Sequence, residues 1–222
     1  MSFEAQRGRN LRDHMTMRKT TSILAGAGII TAATLLAGVA PARADAPPPR
    51  TRGVVTAIDG DTVTLKTRFG GPATLKLSPE TGYVGATKSS LAEVKPGRFI
   101  GTAATPGPNG TLKATEVTIF PDSMRGSGEG HYGWDLGKSS SMTNGTIGTV
   151  TASAKLSMKV SYKGGEKTLT VPDDVPVVDL EAGDRSLLQP GAHVVAIGPK
   201  SADGSVDAKR VIVGEKGVVP PM

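Results

Sequence analysis

One block of this chain is written twice. Residues 97–120, GRFIGTAATPGPNGTLKATEVTIF, sit over residues 191–214, GAHVVAIGPKSADGSVDAKRVIVG, without a gap. Pro96 matches Pro190, Gly97 matches Gly191, Gly110 matches Gly204, Ala114 matches Ala208 and Val117 matches Val211. The preceding halves align as well, Gly53 with Gly145 and Phe69 with Tyr162, once short insertions are allowed. A shared pattern of this length reads as a duplicated domain, and two copies are too few for a solenoid.

Local patterning within each copy points to strands. In RGVVTAIDGDTVTLKT, Asp59-Gly60 lies between two β-branched runs, a strong short-range hairpin signal. Val63 and Leu65 alternate with Thr62, Thr64 and Lys66, as in a strand with one wet face. Gly70-Gly71 marks a second turn, and Ala73, Leu75 and Leu77 alternate on a third strand. A loop and a short helical turn follow around Ser89 to Val94. Lys95-Pro96-Gly97 punctuates, a fourth strand runs from Arg98 to Ala104, and Pro108-Asn109-Gly110 turns into a fifth. This order predicts an all-β chain of two tandem five-stranded OB-like small barrels, each with one short helix. Closing so small a sheet removes its edges. A pair of SH3-like barrels is the alternative, and in either case Leu65 and Leu112 are expected in the cores. The divisions are an export segment at 1–44, a Pro-rich leader at 45–51, a first barrel copy at 52–119, a Gly-rich linker at 120–143, a second copy at 144–213 and a tail at 214–222.

The linker, FPDSMRGSGEGHYGWDLGKSSSMT, is unlike an ordinary one. It carries Phe120, Tyr132 and the single tryptophan, Trp134, in a chain that is 4% aromatic. Flexible linkers lack large rings, because a ring left in water gains nothing. A core of barrel size supplies only about 3–5 kcal/mol without staples, and there is no cysteine to make one. The copies are therefore expected to share an interface, with Phe120, Tyr132 and Trp134 packed into it.

Residues 1–44 read as an export signal: Arg18-Lys19, an uncharged apolar run, then Ala42-Arg43-Ala44 before Asp45. The expectation is a periplasmic or secreted protein cleaved near Ala44, with a mature chain that does not span the membrane. An N-terminal membrane anchor is the alternative, since the run is long enough to cross a bilayer. Residues 1–14, ahead of Met15, fit a misassigned start. The whole chain has 26 basic and 20 acidic residues. Residues 1–44 hold six of the basic and two of the acidic ones, leaving 20 against 18, a net +2. The basic pI thus belongs largely to the export segment and gives no strong nucleic-acid signal. The absence of cysteine excludes thiol redox chemistry, iron–sulfur clusters and Cys-type zinc sites.

No motif assembles a catalytic constellation. Gly128-Glu129-Gly130-His131-Tyr132-Gly133 spells G-x-G-x-x-G, but the helix that a dinucleotide loop opens does not follow. Gly137-Lys138-Ser139 resembles the end of a P-loop, yet Tyr132 stands where the first glycine is required. Ser, Thr, Asp and Glu are plentiful without a spacing that pairs a nucleophile with a base. Asp173-Asp174 reads as a polar turn, and His193 as a packed or surface imidazole on a strand. Glu129, His131 and Asp135 are the candidate metal ligands, with Met124 and Met142 as soft donors nearby. Lys66, Arg68, Phe69 and Lys76 in one copy, and Lys159, Tyr162, Lys163 and Lys167 in the other, give basic hairpins with one ring each, as in single-strand nucleic-acid binders. No cofactor is expected.

The opening G-x-V-x-x-x-D-G-x-T-x-T-L-x-T at Gly53 to Thr67, the FPDSMRGSGEGHYGWDL centre leading to SMTNGTIG, and the ending GEKGVVPPM resemble a bacterial family of exported, duplicated small-β-barrel proteins. The second copy departs from that opening, with TASAKLS in place of the Asp-Gly hairpin. Relatives often carry the label "metal ABC transporter permease", which fits badly, because a permease needs several membrane spans. The resemblance supplies no catalytic residues. Together these features point to a non-enzymatic exported binding or structural module with a protein or cell-envelope partner. The alternatives are a metal-associated periplasmic accessory protein with a site near His131, and an OB-like nucleic-acid or glycan binder.

Overall fold

The computed structural model describes residues 49–152 and 155–220. The export segment and most of the leader lie outside the described residues. Among the described residues, fourteen strands make up the fold. β1 (Arg50–Asp59), β2 (Thr62–Thr67) and β3 (Pro72–Lys76) form an antiparallel meander. The first hairpin closes at Asp59↔Thr62 around Gly60-Asp61, the Asp-Gly corner legible in the sequence. β4 (Gly82–Lys88), β5 (Phe99–Pro106) and β6 (Leu112–Ile119) follow, then the short β7 (Gly130–Gly133). β8 (Ser141–Ala152), β9 (Leu156–Tyr162) and β10 (Gly165–Val171) make a second meander. β11 (Val177–Gly183), β12 (His193–Ile197), β13 (Val206–Asp207) and β14 (Arg210–Gly214) complete the chain. The short helix expected near Ser89 to Val94 is a 3-10 turn at Leu91–Glu93, and a second such turn lies at Arg185–Leu187.

Five strands close on themselves. β8 pairs with β5 and β9, β9 with β10, β10 with β6, and β6 with β5. This closed barrel corrects the expectation of one barrel per copy in chain order. Its meander, β8 to β10, comes from residues 144–213 except at its first residues, whereas β5 and β6 come from residues 52–119. The other meander is likewise joined to late strands: β1 pairs with β12, β12 with β14, and β3 with β13. The reason lies in β4 and β11, two strands that local patterning does not predict. They pair antiparallel with each other from Gly183↔Tyr83 to Val178↔Lys88. Each also adds in parallel to a strand of the group ahead of it, β4 to β14 and β11 to β6. A chain passing through that central pair emerges on the opposite group, so its last two strands close around the other meander.

Alternation sorts side chains into three cores. One fills the closed barrel, with Ile100, Val117, Ile119, Ile147, Val160 and Leu169 among its members. Leu112 packs against it only partly buried, less deep than expected. A second, including Val55, Val63, Leu65, Leu75, Val194 and Val211, lies on the inner faces of β1–β3, β12 and β14. The third joins Val84, Ala86, Phe99, Phe120, Trp134 and Leu180 with residues of β8, β12 and β14. Two matching glycines let a meander bend tightly over its neighbour. A Cβ on Gly53 would sit 2.6 Å from the Lys66 carbonyl oxygen, and one on Gly145 would collide with that of Ser161.

Candidate functional site

The central segment is built into the structure through several kinds of contact. Phe120 meets Phe99 edge-on, ring centroids 5.5 Å apart. β7 pairs with β8 from Gly130↔Asn144 to Gly133↔Ser141, which places Tyr132 and Trp134 near the third core. Trp134 is 8% exposed, its ring 6.0 Å from that of Tyr132. The Arg50 guanidinium lies over the indole at 4.0 Å from its centroid, a cation–π arrangement strengthened by partial desolvation. Burial lowers the Arg50 pKa, partly opposed by Tyr132 and Asp135. Arg52 grips Asp135 with two parallel hydrogen bonds of 2.7 and 3.0 Å, the bidentate geometry a guanidinium offers a carboxylate. Burial alone would raise the Asp135 pKa, but the Arg52 hydrogen bond and the charges of Arg52 and Arg50 hold it below the usual range. Residues 134–135 are thus tied to β1 by a stacked and a paired arginine.

The three candidate metal ligands do not converge. Glu129 Oε1 accepts the Lys163 backbone N–H at 2.9 Å, His131 Nδ1 is 2.9 Å from Thr143 Oγ1, and Asp135 belongs to Arg52. The His131 ring stacks on Tyr162, and burial, with Lys167 nearby, lowers its pKa. Among the described residues no group of three or more His, Asp or Glu side chains is placed to share a metal ion. Met142 lies in the third core and Met124 packs against it. Asp173-Asp174 sits in a turn closed by the Val175 N–H on the Pro172 carbonyl.

The basic hairpins are unequal. Lys76 pairs with Asp203 at 2.7 Å and Lys159 with Glu166 at 3.1 Å. Tyr162 is engaged by His131, whereas Phe69 at the β2–β3 turn is 96% exposed. Beside that turn a groove of about 370 Å³ runs over the outer side of β1, β2 and β12, lined among others by Arg52, Lys66, Arg68 and His193 and edged by Val219 and Pro220.

One buried ionisable group escaped the sequence reading. Val117 and Ile119 of β6 point into the closed barrel, so Glu116 and Thr118 point out of it. Glu116 is nevertheless 5% exposed, and its Oε1 has no hydrogen-bond partner. Desolvation pushes its pKa up to about 8, with Arg52 and Arg68 pulling down and Asp135 pushing up. An acid alternating with apolar residues reads as solvent-facing, and nothing local shows that a second layer covers it. No protein-family model, curated protein or solved structure matches the chain.

Proposed function

We propose that this chain is an exported, non-catalytic binding module made of two five-stranded barrels with exchanged halves, held in one orientation by its central segment. In this reading β13 and β14 are one interrupted strand. Across the break, Ala208 donates to the Lys76 carbonyl and Lys209 to that of Ile197. The ring β1–β2–β3–β13/β14–β12 then answers to the closed barrel. Duplication is supported by the central pair: Ala86 lies opposite Leu180, 94 residues on, the spacing that also separates Pro96 from Pro190 and Val117 from Val211. A pseudo-twofold axis through that pair relates the halves. Export rests on the pattern of residues 1–44, and among the described residues no helix is long and apolar enough to cross a membrane.

The single observation that carries the reading of a fixed orientation is what the central segment's polar and aromatic groups contact. Trp134, Tyr132, Asp135, His131 and Glu129 each meet a partner elsewhere in the chain, which is the work of a brace. Trp134→Ala removes a nearly buried ring and should lower stability by about 3–5 kcal/mol, splitting one unfolding transition into two. His131→Ala should change little. The native protein should show blue-shifted tryptophan emission. A water-like maximum, or a metal-dependent rise in melting temperature abolished by His131→Ala, would overturn the reading.

A further inference from the structure

The outer surface of β1, β2 and β12 has a counterpart on β8, β9 and β5, and the two differ in what covers them. Strand register gives the correspondence. Arg52 pairs with Val195 and Val54 with His193, as Asn144 pairs with Gly101 and Thr146 with Phe99. Val54 pairs with Lys66, as Thr146 does with Ser161. Two residues further along, Arg68 answers to Lys163.

On the β8 side, residues 120–132 of the chain occupy this surface. The Phe120 ring packs on Phe99 and comes so near Gly101 that a Cβ there would meet it at 3.0 Å. Arg125 reaches Thr146 Oγ1 at 3.4 Å. Asn144 Nδ2 donates to the Ser127 carbonyl at 3.2 Å and to the Tyr132 hydroxyl at 3.3 Å. Glu129 then accepts from the Lys163 N–H at the hairpin turn. A glycine-rich run of polypeptide lies along the surface, and its acid caps the turn. On the β1 side the same positions line the 370 Å³ groove. There Lys66 stands in place of Ser161, Arg52 (bound to Asp135) in place of Asn144, and the exposed Phe69 adjoins Arg68.

We propose that the β1 groove is the docking site for an extended acidic peptide segment of a partner protein, laid across it as residues 120–132 lie across its counterpart. This rests on the reading of the chain as a binding module. On the counterpart surface, a polypeptide lies across strands paired in the same register. Arg52 is already held by Asp135, so the lysine standing in place of serine at position 66, with Arg68 beside it, is what selects carboxylates, since opposite charge across an interface sets partner choice. Single-stranded nucleic acid suits it less well, because successive bases need successive rings and the groove lining holds no Phe, Tyr or Trp.

The test uses the full chain and a fluorescein-labelled peptide with the sequence of residues 120–132, carrying glutamate in place of Arg125 and His131. Fluorescence anisotropy should show saturable binding that weakens as salt rises. The double variant Lys66→Glu/Arg68→Glu should weaken it at least about tenfold, while Lys113→Glu on β6 leaves it unchanged. Circular dichroism verifies that the variants are folded, and tryptophan emission is read in the same samples. With blue-shifted emission, absence of saturable binding at millimolar protein overturns the docking site alone. Binding indifferent to the double variant does the same, as does tighter binding of an oligothymidylate through the same two residues. Water-like emission overturns the underlying reading instead.

Discussion

Glu116 allows a quantitative test of how completely the outer face of the closed barrel is covered. Its carboxyl is outside the closed barrel yet buried, because the covering layer brings Arg52, Asp135 and Arg68 within electrostatic range. A rise from an ordinary value of 4.5 to about 8, at about 1.4 kcal/mol per pH unit, amounts to a preference of about 5 kcal/mol for the neutral acid. The sign follows from proton counting. Between these two pH values the native state holds the proton and the unfolded chain does not, so stability falls as pH rises. The full contribution is present below pH 4.5 and is lost progressively up to about pH 8. Between about pH 6 and 9 the loss from this group is about 2.5–3 kcal/mol, or about 5–10 °C in melting temperature for a chain of this size. Glu116→Gln keeps the shape and removes the titration. Thermal unfolding of both proteins across that window, by circular dichroism, should show the wild type falling away from the variant by this amount. Parallel pH profiles would refute the reasoning, since they require a carboxyl that reaches water in the native state.

Three further outcomes follow from the packing. Leu65→Asp places a charge at a site with no exposure and should unfold at least the β1–β3 meander, because an unpaired charge is not buried cheaply; an unchanged melting curve would mean its inward face is wrongly assigned. Gly53→Ala drives a Cβ against the Lys66 carbonyl and should lower stability by about 1–3 kcal/mol, measured by chemical denaturation, whereas Gly71→Ala, with open space around it, should not. Mass spectrometry of protein recovered after export should find an N-terminus at or near Asp45; an intact precursor in the membrane fraction would favour an anchor.

Much of the strand pattern was legible because it is local. The Asp59-Gly60 corner, the alternation through Leu65 and Leu75, and the paired Pro-Gly punctuation each act over a few residues. β4 and β11 were not legible. GYVGATK and VVDLEAG have neither clean alternation nor a long apolar run, and they are strands because they pair with each other. The make-up of the closed barrel was invisible for a related reason. A meander closed by strands that follow it and one closed by strands that precede it, as β5 and β6 precede β8 to β10, use the same kinds of pairing, so strand periodicity is identical in both. Glu116 shows the same limit for the site: its sequence neighbours set which face it is on, and residues far along the chain determine whether that face is wet.

The pairing of the first strand with a late one also sets the order in which the molecule can be completed. Arg50 pairs with Ile197 and Gly53 with Val194, so the first strand has no closing partner until almost the whole chain exists. At synthesis rates of about 5–20 residues per second, that wait is about 7–30 seconds. Pairings of such sequence separation are slow to form, and the open side of the β1–β3 meander is a strand edge able to recruit a second copy. Two chains that closed each other's meanders would satisfy every strand pairing, which makes the intertwined dimer the natural misassembly of this fold.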